Sequence, residues 1–504
     1  MREIELKFRV TPQFELPDIT PAVPTLASVG PVTRLHLKAV YYDTPDLRLA
    51  RAGITLRRRS GGADDGWHLK LPVSGAASST REELAVADTG GRLPPAQLQD
   101  LTRAHVRFSE IAPVATLLTQ RDTFPLLDAN GELLAELVDD AVSVRNGRHV
   151  ASRFREIEVE DKGGGTGLLE EVAAVLRSAG AVGGEFVPKV VRALGPRASA
   201  PADPPPSGDV RPKDPGKAAL ESMFRGYVRA LLNADPRVRL GEADSVHQMR
   251  VATRRLRSAL RTFGALLEPD PIQGLADELA WLAGELGPAR DAEVLLARLL
   301  ADIDALPDHL VIGPARERVA SSLGHDLDAA AERVRAALAT ERYLTLLERV
   351  VDLAWLPQTT AAAEAPAAEA VLPLVADTWE QLARRAARLR RKSATEEDHH
   401  RVRIAAKRAR YAAEAVSPVF GAPAQRFARE LVRVQDVLGE HQDAVVAVQE
   451  LRALAQRPRL GVGPAFTLGV LAARQQEAAA AARGAFADVW ADVRRSRHRR
   501  WLTA

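Results

Sequence analysis

No cysteine occurs in the 504 residues, which removes disulfides and thiolate metal sites from consideration and fits a reducing cytoplasm. Aromatic residues are scarce at 5%, and none punctuates the basic stretches, so stacking against nucleobases has little support. No uninterrupted apolar run reaches membrane-spanning length. The N-terminus enters an alternating polar and apolar stretch directly, without the basic start and apolar core of a signal peptide. Both absences predict a soluble protein. A strong charge of one sign is missing as well: 69 Lys and Arg face 66 Asp and Glu, for a net charge of +3. That excludes a generic cationic coat, so any anion site has to come from local clustering. What is present is an ordinary globular composition, 46% hydrophobic and 27% charged, in a chain long enough for two or more domains.

Residues 1 to about 161 read as strands, with candidates at 2–10, 33–42, 53–60, 66–71, 80–87, 117–124, 132–140 and 152–160, separated by turns rich in Gly, Pro and Asp. Eight strands without long helices between them predict an antiparallel sheet or barrel. A short amphipathic helix is expected over 167–179. Residues 197–216 are rich in proline and small polar residues and read as an extended linker. From 217 onward the apolar period changes to 3.6 and the chain reads as all-α. A second low-complexity connector, 357–370, divides this helical part into halves of about 217–356 and 371–504. The expected organisation is a β domain over 1–196, a linker over 197–216 and a helical domain over 217–504.

In the first strand Glu3, Glu5, Lys7 and Arg9 share one face, and Ile4, Leu6, Phe8 and Val10 share the other. Alone, such a strand reads as a solvated edge. It has company, however. Glu156, Glu158 and Glu160 alternate with Ile157 and Val159; Glu132, Glu136 and Asp140 share a parity; so do Arg57 and Arg59; and Lys70, Arg81 and Glu83 add to the set. Several charged faces imply either a sheet wetted on one side or a barrel with a charged interior. Buried charges are costly unless they pair or bind an ion. Carboxylates suit a hard divalent cation, and Arg and Lys suit a polyanion such as a phosphate chain.

Glu3-Ile4-Glu5-Leu6-Lys7 resembles the E-x-E-x-K signature of the CYTH, or triphosphate tunnel metalloenzyme, superfamily. The resemblance continues through Tyr41-Tyr42-Asp43, Leu56-Arg57-Arg58-Arg59, Trp67-His68-Leu69-Lys70, Arg81-Glu82-Glu83, Arg121, Glu136 with Asp140, and Glu156-Ile157-Glu158, and so spans about residues 1–195. It implies an eight-stranded antiparallel tunnel that binds triphosphate-bearing substrates with Mg²⁺ or Mn²⁺. Glu3, Glu5, Asp140, Glu156 and Glu158 then become the metal shell, and Glu3, Glu5 and Lys7 the catalytic set. Lys7, Lys38, Arg57, Arg59, Lys70, Arg81, Arg121 and Lys189 become triphosphate contacts. Hydrolysis would use a metal-activated water, and no Ser or Cys nucleophile is required. The same family includes inorganic triphosphatases, thiamine triphosphatases and class IV adenylate cyclases, among which these motifs do not choose.

The helical part repeats itself. His247-Gln248-Met249-Arg250 with Arg254, Arg255 and Arg257 matches His400-Arg401-Val402-Arg403 with Lys407, Arg408 and Arg410, and the Leu-Gly-x-x-x-Asp segments ending at Asp291 and Asp443 recur at nearly the same offset. Two motifs at one offset indicate an internal duplication. At about 100° per residue, Arg250, Arg254, Arg257 and Arg261 fall within a sector of roughly 80° beside His247. His400, Arg403, Lys407 and Arg410 reproduce that face, with Glu414 in the place of Arg261. Stacked like charges repel unless solvent, an acidic neighbour or an anion lies over them, and histidine can donate to phosphate. His399 and His441 are plausible helpers, and Asp291 and Asp443 are expected to orient arginines or cap helices. Further cations cluster at Arg384, Arg385, Arg388, Arg390, Arg391 and Lys392, and again at Arg494, Arg495, Arg497, Arg499 and Arg500, the last reading as a solvated tail.

The paired motifs resemble the CHAD domain, named for its histidines in an α-helical fold, across about 217–500. That implies two pseudo-symmetric four-helix bundles whose basic surface binds inorganic polyphosphate, with His247, Arg250, Arg254, Arg257, His400, Arg403, Lys407 and Arg410 in contact. The combined expectation is a multidomain α+β, cytoplasmic, metal-dependent triphosphatase associated with polyphosphate granules, without membrane or nucleic-acid partners. A polyphosphate-binding scaffold without turnover, a cyclase and a thiamine triphosphatase are the alternatives.

Overall fold

The computed structural model of the protein describes residues 2–62, 64–73, 80–146, 149–183, 187–390, 395–457 and 461–503. By contact the chain divides into two compact units, Met1–Asp203 and Pro204–Ala504.

Among the described residues the first unit contains ten strands: β1 Arg2–Val10, β2 Ser28–Val29, β3 Thr33–Asp43, β4 Thr55–Ser60, β5 Gly66–Pro72, β6 Thr80–Val86, β7 Ala112–Leu127, β8 Leu133–Asn146, β9 His149–Asp161 and β10 Val182–Gly183. Four α-helices accompany them among the described residues: α1 Arg48–Arg51, α2 Ala96–Val106, α3 Gly165–Ser178 and α4 Lys189–Leu194. The sheet is antiparallel and runs β10-β1-β6-β5-β4-β3-β7-β8-β9, with β1 also paired to β9. The first residues of β1 pair with β6, Glu3 opposite Arg81, and the rest pair with β9, Glu5 opposite Glu160 and Lys7 opposite Glu158. One strand therefore joins both ends of the ladder, and the sheet closes into a tunnel-like ring. Strands β7, β8 and β9 are longer than the sequence suggests, and the 11-residue α2 intervenes between β6 and β7.

Closure inverts the usual arrangement of a barrel. The apolar face of the strands points outward, where Phe8, Leu137, Ile157 and Val159 pack against Leu168, Leu169, Val172, Ala173 and Leu176 of α3. Those α3 positions follow a helical stripe. The charged face points inward. Toward one end the interior becomes apolar, with Ala39, Tyr41, Leu117, Val142 and Val144 packed around Val190 of α4. This contact fixes α4 at the tunnel and sets the direction of its two basic side chains. Residues 197–203, the start of the expected extended linker, are strapped to the first unit: Arg197 donates to the Pro45 carbonyl (3.0 Å), Arg51 to the Pro201 carbonyl (2.7 Å), and Arg107 pairs with Asp203.

The second unit consists of helices α5 Gly216–Leu240, α6 Ser245–Phe263, α7 Pro269–Ile272, α8 Leu275–Asp304, α9 Ala315–Leu338, α10 Glu341–Trp355, α11 Ala367–Ala370, α12 Leu372–Ala386, α13 Glu396–Phe420, α14 Ala422–Ala455 and α15 Val462–Val493, with short 3-10 turns between them. The long pair α8–α9 and the long pair α14–α15 meet in one core built from Leu299, Ile303, Leu323, Leu451, Leu468 and Leu471. The second connector is not free: the Gly216 N–H donates to the Ala365 carbonyl (2.9 Å) and the Ala367 N–H to the Asp214 carbonyl (2.7 Å). A Cβ on Gly216 would lie 2.7 Å from the Ala370 Cβ, so only glycine allows this approach. Among the described residues no helix is long and apolar enough to cross a membrane.

If α3 holds the sheet closed, Leu176→Ala, which empties a fully buried position, should cost about 2–5 kcal/mol in urea unfolding. A loss below about 1 kcal/mol would show that α3 merely covers the sheet.

Candidate functional site

Alternation along each strand decides which side chains enter the ring. The interior cavity, of about 220 Å³, is lined by Glu5 and Lys7 of β1, Tyr41 of β3, Arg57 and Arg59 of β4, Lys70 of β5, Glu83 of β6, Arg121 of β7, Glu158 and Glu160 of β9, and Lys189 of α4. Strands β4 and β5 stand half-way round the ring from β9 and β8. A wall of guanidinium and ammonium groups, Arg57, Arg59 and Lys70, thus faces a wall of carboxylates, Asp140, Glu156 and Glu158.

On the cationic wall, Glu83 gathers Lys70 (3.2 Å), Arg57 (3.5 Å) and the His68 Nδ1 (2.8 Å). Arg59 is held by Asp64. On the acidic wall, Asp140, Glu156 and Glu158 are buried and converge on one ammonium: Lys189 Nζ lies 2.8, 2.8 and 2.7 Å from them. Arg121 makes a fork with Asp140 (2.9 and 2.7 Å) and reaches Glu158 (3.1 Å), and Arg192 bonds Glu156 (2.5 Å). Lys7 bridges Glu5 (3.0 Å) and Glu158.

Burial would raise the Glu5 carboxyl, but Lys7, Lys70 and Lys189 outweigh it and hold it at about 2. Asp140 behaves likewise: Lys189 and Arg121 overcome burial and keep it well below the carboxylate range. Burial pushes the Lys7 ammonium down despite Glu5, whereas Lys189, also buried, is raised by Asp140 and Glu156. Both acids therefore stay ionised at neutral pH, as metal or cation ligands must.

Two sets of three carboxylates bring their oxygens within 4.8 Å of one another: Glu5, Glu158 and Glu160, and Asp140, Glu156 and Glu158. All-oxygen donors of this kind suit a hard divalent cation. CYTH-type metal chemistry therefore fits the donors present. Both sets carry ammonium partners, Lys189 on the second and Lys7 and Lys162 on the first, but Glu5, Glu158 and Glu160 all line the cavity, whereas Asp140 and Glu156 lie behind it.

The expected residues are sorted accordingly. Glu5, Lys7, Arg57, Arg59, Lys70, Arg121, Asp140, Glu156, Glu158 and Lys189 come together. The Glu3 side chain lies outside the described residues. Arg81 shares the inward parity of Glu83, but its guanidinium turns to the Gly53 carbonyl. Lys38 does not reach the tunnel. Tyr41 of the same strand faces inward, so Lys38, three residues away, faces outward and lines a separate surface cavity with His36, Gln120 and Arg153. Sequence reasoning passed over Tyr41 as a lining residue and Arg192; Tyr41 lies within the family motif, and Arg192 follows Lys189 by three residues, about one helical turn.

In the helical unit the repeated faces of α6 and α13 approach one another. Arg254 and Arg410 both lie over the Tyr411 ring (5.8 and 5.7 Å). The repeat is respected in the acids too: Asp291 holds Arg250 (2.7 Å) and Asp443 lies 3.6 Å from Arg403. Lys407 has no carboxylate at ion-pair distance among the described residues. Burial, then Arg403, Arg254 and Arg250, lower its ammonium to about 7. Arg250, Arg254, Arg403, Lys407 and Arg410 thus form one cationic cluster. His247 sits at its edge near Arg290, and burial lowers its pKa. Arg257 lies instead beside Arg261 and Asp277, and His400 is exposed. His441 is buried, stacked on His399 (ring centroids 5.2 Å), with Nε2 3.3 Å from Glu396, a packing role.

Residues 1–193 match the CYTH domain family and residues 222–452 match the CHAD domain family. An uncharacterized protein of Mycobacterium tuberculosis (strain CDC 1551 / Oshkosh) is 36% identical, over 94% of this chain and 93% of that protein. Among solved structures, PptA from Streptomyces chartreusis has 27% identity and a TM-score of 0.47, covering 55% of this chain and 100% of that one. The CHAD domain from the plant Ricinus communis has 28% identity and a TM-score of 0.44, covering 55% and 95%.

The Lys407 environment has a measurable signature. Its folded pKa of about 7 lies below the ordinary 10.5, so its protonation opposes folding most strongly below pH 7, and the penalty fades as pH rises from 7 toward 10.5. Lys407→Met should therefore stabilise the protein by about 1–3 kcal/mol at pH 6 and by less at pH 9 in urea titrations. An equal effect at both pH values would contradict this picture.

Proposed function

The chain belongs to the proteins that join a CYTH domain to a CHAD domain, and on that premise we propose that its first unit is a metal-dependent hydrolase of inorganic triphosphate or short polyphosphate while its helical unit binds longer phosphate chains. In this reading the closed ring is the eight-stranded tunnel of the family, over 1–196, and 217–504 forms two pseudo-symmetric four-helix bundles. The protein would work in the cytoplasm, in company with polyphosphate granules.

The opposed charge walls of the tunnel support the reading most directly. Counting Asp140 and Glu156 behind the lining, the cationic and acidic side chains around the cavity nearly balance. A triphosphate entering it adds negative charge that a divalent cation would offset. Glu5, Glu158 and Glu160, with Glu3 by its place in the motif, would hold Mg²⁺ or Mn²⁺. When bound, the ion supplies charge neutralisation and a more acidic water. Arg57, Arg59 and Lys70 would exchange Glu83 and Asp64 for phosphoryl oxygens, Arg121 adding a planar fork. Lys7, between Glu5 and Glu158, would keep the Glu5 carboxylate oriented and donate to the phosphate chain. The phosphate chain is favoured over a nucleotide because the second unit carries a cationic cluster with few aromatics interleaved.

Purified full-length protein incubated with inorganic triphosphate and Mg²⁺ or Mn²⁺ should release phosphate. Glu5→Gln and Arg57→Ala should each lower kcat/KM by about 100-fold or more. Cyclic AMP and diphosphate formed from ATP would identify a cyclase instead. Tight polyphosphate binding without turnover would leave only the scaffold role. In the helical unit Arg254→Ala with Arg403→Ala should weaken polyphosphate binding about tenfold and flatten its salt dependence.

A further inference from the structure

The C-terminal segment expected as a solvated tail is docked. Trp501 packs on Phe420 and Phe427 (6.0 and 5.9 Å), Arg499 lies 5.2 Å over Trp379, and Leu502 is buried. Docking builds a cavity of about 480 Å³ between the tail and the start of α14. It lies partly beyond the residues matched to the CHAD family, which end at 452.

The charges in this cavity are unequally satisfied. Its one carboxylate, Glu430, is taken by Arg433 (2.6 Å), and Arg497 is taken by Asp492 (3.0 Å). Arg426 and Arg429 of α14 and Arg500 of the tail line it with no ion pair among the described residues. The indole N–H of Trp501, which also lines it, is shielded from solvent and has no acceptor among the described residues. A donor withdrawn from water is kept at a cost unless something accepts from it. Three guanidiniums from two elements, brought to one cavity where the aromatic cluster docks the tail and without ion pairs among the described residues, repel one another less when an anion lies between them. The first turns of a 34-residue helix add a field of the same sign.

We propose that this cavity is a separate binding site for an oligophosphate group, supplied either as inorganic diphosphate or as the phosphate tail of a nucleotide. Arg426, Arg429 and Arg500 grip the phosphoryl oxygens in forks, and a small turn of the Trp501 ring would bring its shielded N–H to one further oxygen. The volume exceeds what a single phosphate needs, which is why the ligand is a chain. The site rests on neither the tunnel nor the α6–α13 cluster.

Isothermal titration of the full chain with diphosphate, and separately with ATP, tests it. Arg426→Ala with Arg429→Ala should remove one class of sites or weaken it at least tenfold. Trp501→Phe, which keeps the ring packing, should weaken it about three- to tenfold. Arg500→Ala serves as an independent third variant should the double change disturb folding. Triphosphate turnover should be unchanged in all of them, which separates this site from the tunnel reading. Binding of both ligands assigns recognition to the phosphate chain, and binding of ATP alone shows that the nucleoside contributes; both outcomes uphold an oligophosphate site. Sites of unaltered number and affinity in the double variant overturn it. So does an equal weakening by Arg494→Ala with Arg495→Ala, which removes two charges outside the cavity.

Discussion

Lys189 and the three carboxylates it touches, Asp140, Glu156 and Glu158, hold three chain segments, α4, β8 and β9, to one point at 2.7–2.8 Å. Each of those acids would be expensive to bury alone, by several kcal/mol per ion. The ring can turn its charged face inward only because ammonium and guanidinium groups from other elements arrive at the same place. α4 delivers two of them, Lys189 and Arg192, and α4 is itself placed by the apolar contact of Val190 at the end of the tunnel. Hydrophobic packing at one end thus makes the polar interior affordable. The outward apolar face and its cover α3 follow from the same inversion.

Fixed opposite charges on opposite walls also set the terms on which the proposed phosphate ligand would enter the tunnel. Neither wall is free, so a ligand enters only by offering each side a better partner than it already has. A phosphate chain offers oxygens to the guanidiniums, and a divalent cation offers charge to the carboxylates. A lone anion satisfies one wall and repels the other. The helical unit solves a simpler problem: its α6–α13 cluster collects cations from both repeats and pairs only part of them, which leaves a surface rather than an enclosed site.

Much of this was legible in the sequence because strand alternation and helical period are strong signals. The parity of Glu5, Lys7, Arg57, Arg121 and Glu158 needed only the period of two. Lys38 shows where that signal stops. Its face depends on the register of β3, and nothing local distinguishes it from Tyr41 three residues on. Arg192 was missed because a short helix entering from outside the sheet follows no strand rule. The 494–503 tail looked solvated because its arginines dominate its composition, whereas Trp501 and Leu502, which pin it, are two residues among many charges. The repeated Asp291 and Asp443, expected to orient arginines or cap helices, lie beside Arg250 and Arg403, since a shared offset constrains a contact more than a single motif does. His400 kept its place in the repeat without joining the cluster, a reminder that duplicated sequence does not guarantee duplicated contacts.

The ring is joined by its first strand and its last long one. Residues 5–10 find their partners at 155–160, so during synthesis the acidic and basic walls stay in water until about a hundred and fifty residues have followed β1 out of the ribosome. Loop closure over that length costs only modestly more than over a short one, but it comes late. Until then residues 5–10 of β1 lack their partner strand β9 and present an apolar side, the kind of segment that invites the wrong neighbour. The alternating Glu and Lys on its other side keep such encounters soluble: the residues that later line the tunnel first act as gatekeepers of the nascent chain.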